Sequence, residues 1–259
     1  LYRPLMNKFL GSVDCIVATS PNYLDSSNVL TSFRDKVSVI PIGLDSATYP
    51  VVSDDRLGVW RDKFGGKFFL FAGVLRYYKG LHILIDAALN SDYPIVIMGS
   101  GPMEKKLKDR VKDLGISNIY FLGFVCDEDK VALFKLSYAI LFPSHLSSEA
   151  FGISLLEGSM YGKPLISADI GTGTTYININ GETGLVVPPS NSTALRNAMD
   201  YLWNNPLIAE RMGRNAKERY RSLFTADNMA ESYANLYNGQ KQWLEIVLKL
   251  KSFSCRSIR

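Results

Sequence analysis

Tyr138-Ala-Ile-Leu-Phe-Pro-Ser-His-Leu-Ser-Ser-Glu-Ala-Phe-Gly-Ile-Ser-Leu-Leu-Glu157 begins with an apolar run, passes through a polar turn and enters a segment of helical character near 150–162. A strand that hands over to a helix in this way is one unit of a parallel α/β sheet, and ligands collect at the carboxyl ends of such strands. Glu149 and Glu157 stand eight residues apart across the expected helix start. On a continuous helix that spacing spans roughly 12 Å with about 80° of rotation, so the carboxylates would face a similar side at different heights. Phe151, Gly152 and Ile153 would supply free first-turn N–H groups, and Gly152 would let a ligand come close to the backbone. An anion suits that position. A diphosphate at the helix start, flanked by one polar moiety beside Glu149 and another beside Glu157, has the layout of a nucleotide-sugar. The bland alternative is a glutamate that favours the helix dipole and a second on a solvated helix face.

Working outward, strand-like runs at 15–20, 37–42, 68–74, 95–99, 119–124, 138–142, 165–168 and 185–187 alternate with helical segments near 21–33, 80–90, 102–114, 128–137, 150–162 and 191–204. Two further helices are expected near 206–220 and 225–238. Strands this apolar are buried on both faces. The pattern predicts an α/β fold with a Rossmann-like, doubly wound parallel sheet. It lapses over Gly43 to Pro50, which reads as a linker, and a fresh unit starts near Asp54. The expected organisation is the remnant of a preceding domain with its linker (1–45), one complete domain (46–239) and a basic tail (240–259).

With 259 residues, 47% of them hydrophobic, the chain can bury a sizeable core. No run approaches the ~20 apolar residues that span a bilayer, and no signal peptide opens the sequence, so a soluble protein is expected. The start at Leu1, in mid-pattern, suggests a piece of a longer chain. Cys15, Cys126 and Cys255 are scattered and odd in number, as in reduced cytoplasmic proteins. The net charge of +4 belongs to residues 240–259, where five basic residues face Glu245; the remaining 24 basic and 24 acidic residues cancel. That distribution disfavours nucleic acid as a partner, since the charge would be expected as a patch on the folded body.

Several strand ends carry glycine-rich or polar loops. Gly73-Val-Leu-Arg-Tyr-Tyr-Lys-Gly80 offers Arg76 and Lys79 near an anion site, whereas Gly99 and Gly101 read as a tight turn more than a phosphate cradle. Neither meets a full P-loop or dinucleotide fingerprint. Gly171 to Thr175 reads as a flexible loop and Gly181 to Gly184 as a hairpin-like turn. Asp127-Glu-Asp129 matches a D-x-D metal pattern in form, but its place before a helical run favours capping by Asp127. His82 reads as a packed or surface residue, and His145 lies on the loop that leads to Glu149.

Together these segments resemble the C-terminal half of a retaining GT-B glycosyltransferase of glycosyltransferase family 4. The resemblance rests on an ordered set: Ile40-Pro-Ile-Gly-Leu-Asp45, the Gly73 to Gly80 loop, Gly99-Ser-Gly-Pro102, Phe121-Leu-Gly123, Pro143-Ser144, Glu149 to Glu157, Gly162-Lys-Pro164, and Glu182-Thr-Gly184 before Val186-Val-Pro-Pro189. Leu75 to Gly80 and Tyr176 to Gly184 look most similar to bacterial O-antigen mannosyltransferases.

The resemblance implies that Glu149 sits beside the donor sugar and its reacting face and that Glu157 accepts from the ribose. It also implies that the N–H groups of Phe151, Gly152 and Ile153 bind the diphosphate close to Gly73, that Lys79 neutralises the leaving phosphate, and that Val125 and Asp127 contact the base. The family usually has an Arg directly after the first loop glycine; here that place is Val74, and Arg76 is the candidate replacement. The implied donor is GDP-mannose, with no cofactor or metal, and the implied acceptor is a glycan or lipid-linked sugar in bacterial surface polysaccharide synthesis. The alternatives are a non-catalytic nucleotide-sugar-binding module and a UDP-sugar-dependent GT-B enzyme. Localisation is expected to be cytoplasmic. The tail, with Trp243, Ile246, Val247 and Leu250 at helical spacing, either packs on its own domain or rests on the inner face of the membrane.

Overall fold

The structure is a computed structural model and describes residues 2–239; the tail reading lies outside the described residues. The first part holds α1 (Tyr2–Ser12), β1 (Ile16–Ala18), α2 (Pro21–Ser26) and β2 (Val37–Val39), with β1 and β2 paired in parallel only with each other. Next come α3 (Asp54–Phe64), β3 (Phe69–Ala72), α4 (Leu81–Ala88), β4 (Ile95–Met98), α5 (Glu104–Asp113), β5 (Ile119–Gly123), α6 (Asp127–Leu136) and β6 (Ala139–Phe142). The chain continues through α7 (Ile153–Met160), β7 (Leu165–Ala168), α8 (Thr174–Ile177), β8 (Gly184–Val187), α9 (Ser192–Asn204), α10 (Pro206–Leu223) and a last helix, α11, at 226–239.

The larger sheet has the order β5-β4-β3-β6-β7-β8, and every strand pair is parallel. This is the doubly wound order: the chain steps outward from β3 through β4 to β5, returns to the other side of β3 with β6, and steps outward again. The winding reverses between β3 and β6, so their loops diverge and leave a crevice at the carboxyl edge. Alternation along each strand divides the interior into two cores. Phe69, Phe71, Ile95, Ile97, Ala139 and Leu141 join one face, with α4 and α9, while Phe68, Leu70, Val96, Ile140 and Phe142 join the other, with α7 and α10. Residues at i and i+2 point the same way from a pleated strand, so runs such as Phe68 to Ala72 must be apolar throughout to serve both cores.

The structure alters four local readings. Helix α3 was not foreseen, although Ser53 caps it by accepting from the Arg56 N–H at 3.3 Å and Gly65 ends it in a left-handed conformation. The segment 43–50 is strapped down: Leu44 N–H donates to Phe224 O, Ala226 N–H donates to Leu44 O, and the Tyr220 hydroxyl donates to the same Leu44 carbonyl at 2.8 Å. The Gly171 to Thr175 loop runs into α8, with Thr172 and Thr174 buried. Gly181 forms a tight turn, but it leads into a strand parallel to β7 and joins no hairpin.

Candidate functional site

A cavity of ≈ 450 Å³ opens at the carboxyl ends of β3, β4, β5 and β6, over the place where the winding reverses. Gly73, Val74 and Lys79 line it from the loop after β3, Met98 and Gly99 from the end of β4, and Phe124, Val125 and Asp127 from the passage between β5 and α6. Glu149 enters from the loop after β6, and Ile153, Ser154 and Glu157 from α7. A volume of this size suits a small-molecule ligand.

The loops that carry these residues lie unusually close together, because glycines remove the side chains that would separate them. A Cβ on Gly99 would run into the Gly73 carbonyl, and one on Gly101 would lie 2.7 Å from the backbone of Leu75. Gly99 and Gly101 therefore dock the loop after β4 against the loop after β3, where Leu75 N–H donates to Ser100 O and Met103 N–H to Leu75 O. Gly80, at φ 71, does the same on the other side: its Cβ would meet the Pro143 carbonyl, so the Lys79 loop rests directly on the loop that leads to Glu149. His145 ties these loops together, with Nε2 3.1 Å from Tyr77 O, Nδ1 3.2 Å from the Ser190 hydroxyl, and its backbone N–H donating to Tyr78 O. His82 stacks on Tyr77 beside it, and burial with His145 nearby lowers its pKa.

The two glutamates share one pattern. Glu149 has its Oε2 paired with Lys79 Nζ, and the same oxygen accepts from the Ser144 hydroxyl at 3.3 Å. Glu157 has its Oε1 paired with Lys130 Nζ, and the same oxygen accepts from the Tyr49 hydroxyl at 2.9 Å. In each case a lysine and a hydroxyl hold one carboxylate oxygen. The other oxygen, Oε1 of Glu149 and Oε2 of Glu157, accepts no hydrogen bond among the described residues. Both carboxylates are nearly buried, which makes a fixed and partly desolvated acceptor of each free oxygen. Burial and the adjacent Glu157 charge raise the pKa of Tyr49 and push Tyr161 up to about 12, so both phenols stay protonated at neutral pH.

The helix start differs from the expected one. Helix α7 begins at Ile153 with Gly152 as its N-cap, at φ 106, so Glu149 stands on the loop and not on the helix. Both carboxylates still line the cavity, Glu149 from the loop after β6 and Glu157 from α7. Phe151 precedes the helix and buries its ring in the core that α7 and α10 cover, edge-on to Phe224. The first-turn donors at the cavity are consequently those of Ile153 and Ser154, and neither Phe151 nor Gly152 lines it. Arg76 is exposed and stands outside the lining, whereas Val74 is part of it.

Asp127 is not the cap of α6, a position held by Cys126; it is the first helical residue and faces the cavity. Asp129 of the D-x-D pattern is engaged elsewhere, accepting from Arg56 at 2.6 and 2.7 Å and from the Trp60 indole at 2.6 Å. Burial alone would raise its pKa, but these bonds and one from Cys126 outweigh that and hold it below the usual range. Among the described residues no cluster of three or more metal-ligating side chains occurs.

Sequence reasoning missed Lys130, Tyr49, Ser144, Ser154 and Phe124. Lys130 had a signal, because it lies three residues after Asp127 on a helical run and so shares its face. Tyr49 had none: it reaches Glu157 across 108 residues of chain.

Against known proteins, the profile of the family described as "Glycosyl transferases group 1" matches residues 60–219, a span that includes both glutamates and both lysines. The chain belongs to the group 1 glycosyltransferases. Within this family it is 63% identical over 226 residues to the D-rhamnosyltransferase WbpZ of Pseudomonas aeruginosa, covering 87% of this chain and 59% of that protein. It is 51% identical over 238 residues to the O-antigen chain mannosyltransferase C of Escherichia coli, covering 92% and 64%. The chain thus spans less than two thirds of the length of either relative. In fold it is similar to Anabaena HepE, solved in complex with UDP-glucose, with a TM-score of 0.79 at 22% identity, covering 92% of this chain and 67% of that one. It is also similar to the C-terminal domain of a group 1 family protein from Francisella tularensis, with a TM-score of 0.61 at 23% identity, covering 71% of this chain and all of that one. This group 1 chain therefore has the α/β architecture of GT-B glycosyltransferases. No helix among its described residues is long and apolar enough to cross a membrane.

Proposed function

We propose that the chain is the donor-binding part of a retaining hexosyltransferase of O-antigen synthesis, acting in the cytoplasm on a glycan or lipid-linked acceptor, with GDP-mannose as donor and no metal or cofactor. The observation that carries this reading is the pair of half-held carboxylates on either side of the α7 N-terminus. The diphosphate lies against the Ile153 and Ser154 N–H groups and the Lys79 ammonium, where the helix dipole and a cation both favour negative charge. Glu149 then accepts from sugar hydroxyls on one side, and Glu157 accepts from the ribose on the other. Arg76, exposed on the same loop as Lys79, is within the proposal only if its guanidinium swings to the phosphate.

The base fits the third wall. Asp127 and Lys130, three residues apart on α6, place an acceptor and a donor side by side in the lining. Guanine offers the complementary N1–H, N2–H and O6 edge, whereas uracil offers one N–H between two carbonyls. Val125 lies beside this pair, and Phe124, 87% exposed, supplies an aromatic face for the base to cover. In the transfer step the acceptor hydroxyl attacks the anomeric carbon on the face from which GDP departs, the C–O bond to the diphosphate breaks, and the hydroxyl proton passes to the departing phosphate oxygen. Lys79 and the helix start stabilise the charge that grows there. Double displacement through a glutamate is the rival route to retention.

The higher identity to a D-rhamnosyltransferase favours a second reading of the sugar, since D-rhamnose is 6-deoxymannose and has the same ring configuration. Calorimetric titration with GDP, UDP, GDP-mannose, GDP-6-deoxymannose and UDP-N-acetylglucosamine tests the reading. The guanosine compounds are expected to bind, and Asp127→Asn is expected to erode their advantage over UDP. Binding by none of them, or a preference for UDP, would overturn it.

A further inference from the structure

The segment between β2 and α3 belongs to no strand of the large sheet, yet it delivers one side chain to Glu157, which lines the cavity. Tyr49 donates its hydroxyl to Glu157 Oε1 at 2.9 Å. We propose that Tyr49 is a positioning residue that gives the site its preference for a ribose: by holding Oε1, it orients Oε2 toward the ligand's vicinal hydroxyls. The inference rests on the reading of Glu157 as the ribose acceptor.

Three observations carry it. First, one oxygen of the carboxylate takes both the Tyr49 hydrogen bond and the Lys130 ion pair, and the other accepts no hydrogen bond among the described residues, so rotation about the terminal bond would disturb both contacts. Second, the two donors differ in rigidity. Lys130 holds its ammonium at the end of a flexible stem, with 32% of the side chain exposed. The Tyr49 ring is fixed edge-on to Tyr161, with centroids 6.3 Å apart and planes at 81°, and the Lys130 ammonium lies 5.5 Å from its centre. Third, the backbone that carries Tyr49 is anchored. Asp45 caps the short helical turn Ser46–Thr48 by accepting from Ala47 N–H at 2.8 Å, and Leu44 is bonded through its N–H to Phe224 and through its carbonyl to Ala226, where α10 gives way to α11. Gly43 passes so close to Thr225 that a Cβ there would overlap the Thr225 carbonyl. Glu157 must therefore conform to Tyr49, and not the reverse. The phenol, with its raised pKa, remains a donor throughout the neutral range.

The test compares GDP with 2′,3′-dideoxy-GDP by calorimetry on the 259-residue chain. The wild type is expected to bind GDP more tightly. Tyr49→Phe keeps the ring and its packing and removes only the hydroxyl; it is expected to lower the ratio of the two affinities about tenfold, in line with a charge-assisted hydrogen bond. Affinity for the dideoxy compound should stay within about twofold. Because both ligands are titrated into one preparation, the ratio cancels any loss of folded protein. Tyr161→Phe, which removes the neighbouring hydroxyl, should leave the ratio unchanged. If Tyr49→Phe retains the wild-type ratio, or weakens both nucleotides equally, the positioning role is overturned while the ribose site stands. If the wild type itself binds the two compounds equally, the ribose reading of Glu157 falls, and this inference with it.

Discussion

Removing the Lys79 charge is expected to destabilise the fold as well as the site. Lys79 and Glu149 expose only 12% and 11% of their side chains, and the Lys79 ammonium lies 4.9 Å from the centre of the Phe142 ring. In Lys79→Met the stem keeps its packing, but Glu149 is left with the Ser144 hydroxyl as its only partner among the described residues. Leaving one member of a buried pair uncompensated costs about 3–5 kcal/mol, and the open cavity, which admits water to the free carboxylate oxygen, reduces this to about 2–3 kcal/mol. Lys79→Met/Glu149→Gln removes both charges and keeps an acceptor for Ser144. Its loss should therefore fall short of the sum of the two single losses by about 1–3 kcal/mol. Urea denaturation at pH 7.5, with the slope checked for constancy, measures all three variants. Glu149→Gln alone frees the Lys79 charge for a ligand, so it should bind GDP up to about tenfold more tightly than wild type. Single losses that simply add, or a Lys79→Met loss below about 0.5 kcal/mol, would refute the account of Glu149 as a carboxylate held in place by its lysine.

Gly80→Ala should destabilise by about 2–5 kcal/mol, combining a left-handed backbone with overlap against the Pro143 carbonyl, and should weaken GDP binding because Lys79 is the adjacent residue; a urea midpoint equal to wild type would contradict the close docking of the two loops. Burial lowers the Lys163 amine from 10.5 to about 8, while its Nζ donates to Lys135 O at 2.7 Å close to the surface. The folded state therefore binds fewer protons than the unfolded state between those values, so the penalty is full below pH 8 and is relieved as the pH rises toward 10.5. Lys163→Met is expected to stabilise by up to about 3 kcal/mol at pH 7 and by much less at pH 10; a gain independent of pH in urea melts would reject burial as its cause.

Much of the fold was legible because its signals are local. Unbroken apolar runs such as Phe68 to Ala72 announce strands covered on both faces, and their alternation with helical segments predicts the doubly wound sheet that the structure contains. Gly73, Lys79, Val125, Asp127, Glu149, Ile153 and Glu157, all singled out from the sequence, line one cavity. The readings that failed concern local geometry imposed from a distance. The helical character of the segment predicts a start near 150 with Phe151 and Gly152 in the first turn, but the second core captures the Phe151 ring and Gly152 turns left-handed, so the helix starts at Ile153. The turn expected at Gly99 and Gly101 is present, with Glu104 N–H donating to Gly101 O, but only the fold shows that their lack of side chains also lets two loops touch.

By itself, then, the sequence determined the element order, the parallel sheet and the residue types at the strand ends, since periodicity and turn chemistry act within a few residues. Only the tertiary structure decided which oxygen of each glutamate is held and which is left open. That choice depends on hydroxyls and ammonium groups brought from the linker, from α6 and from the loops after β3 and β6, where packing of distant segments sets the distances.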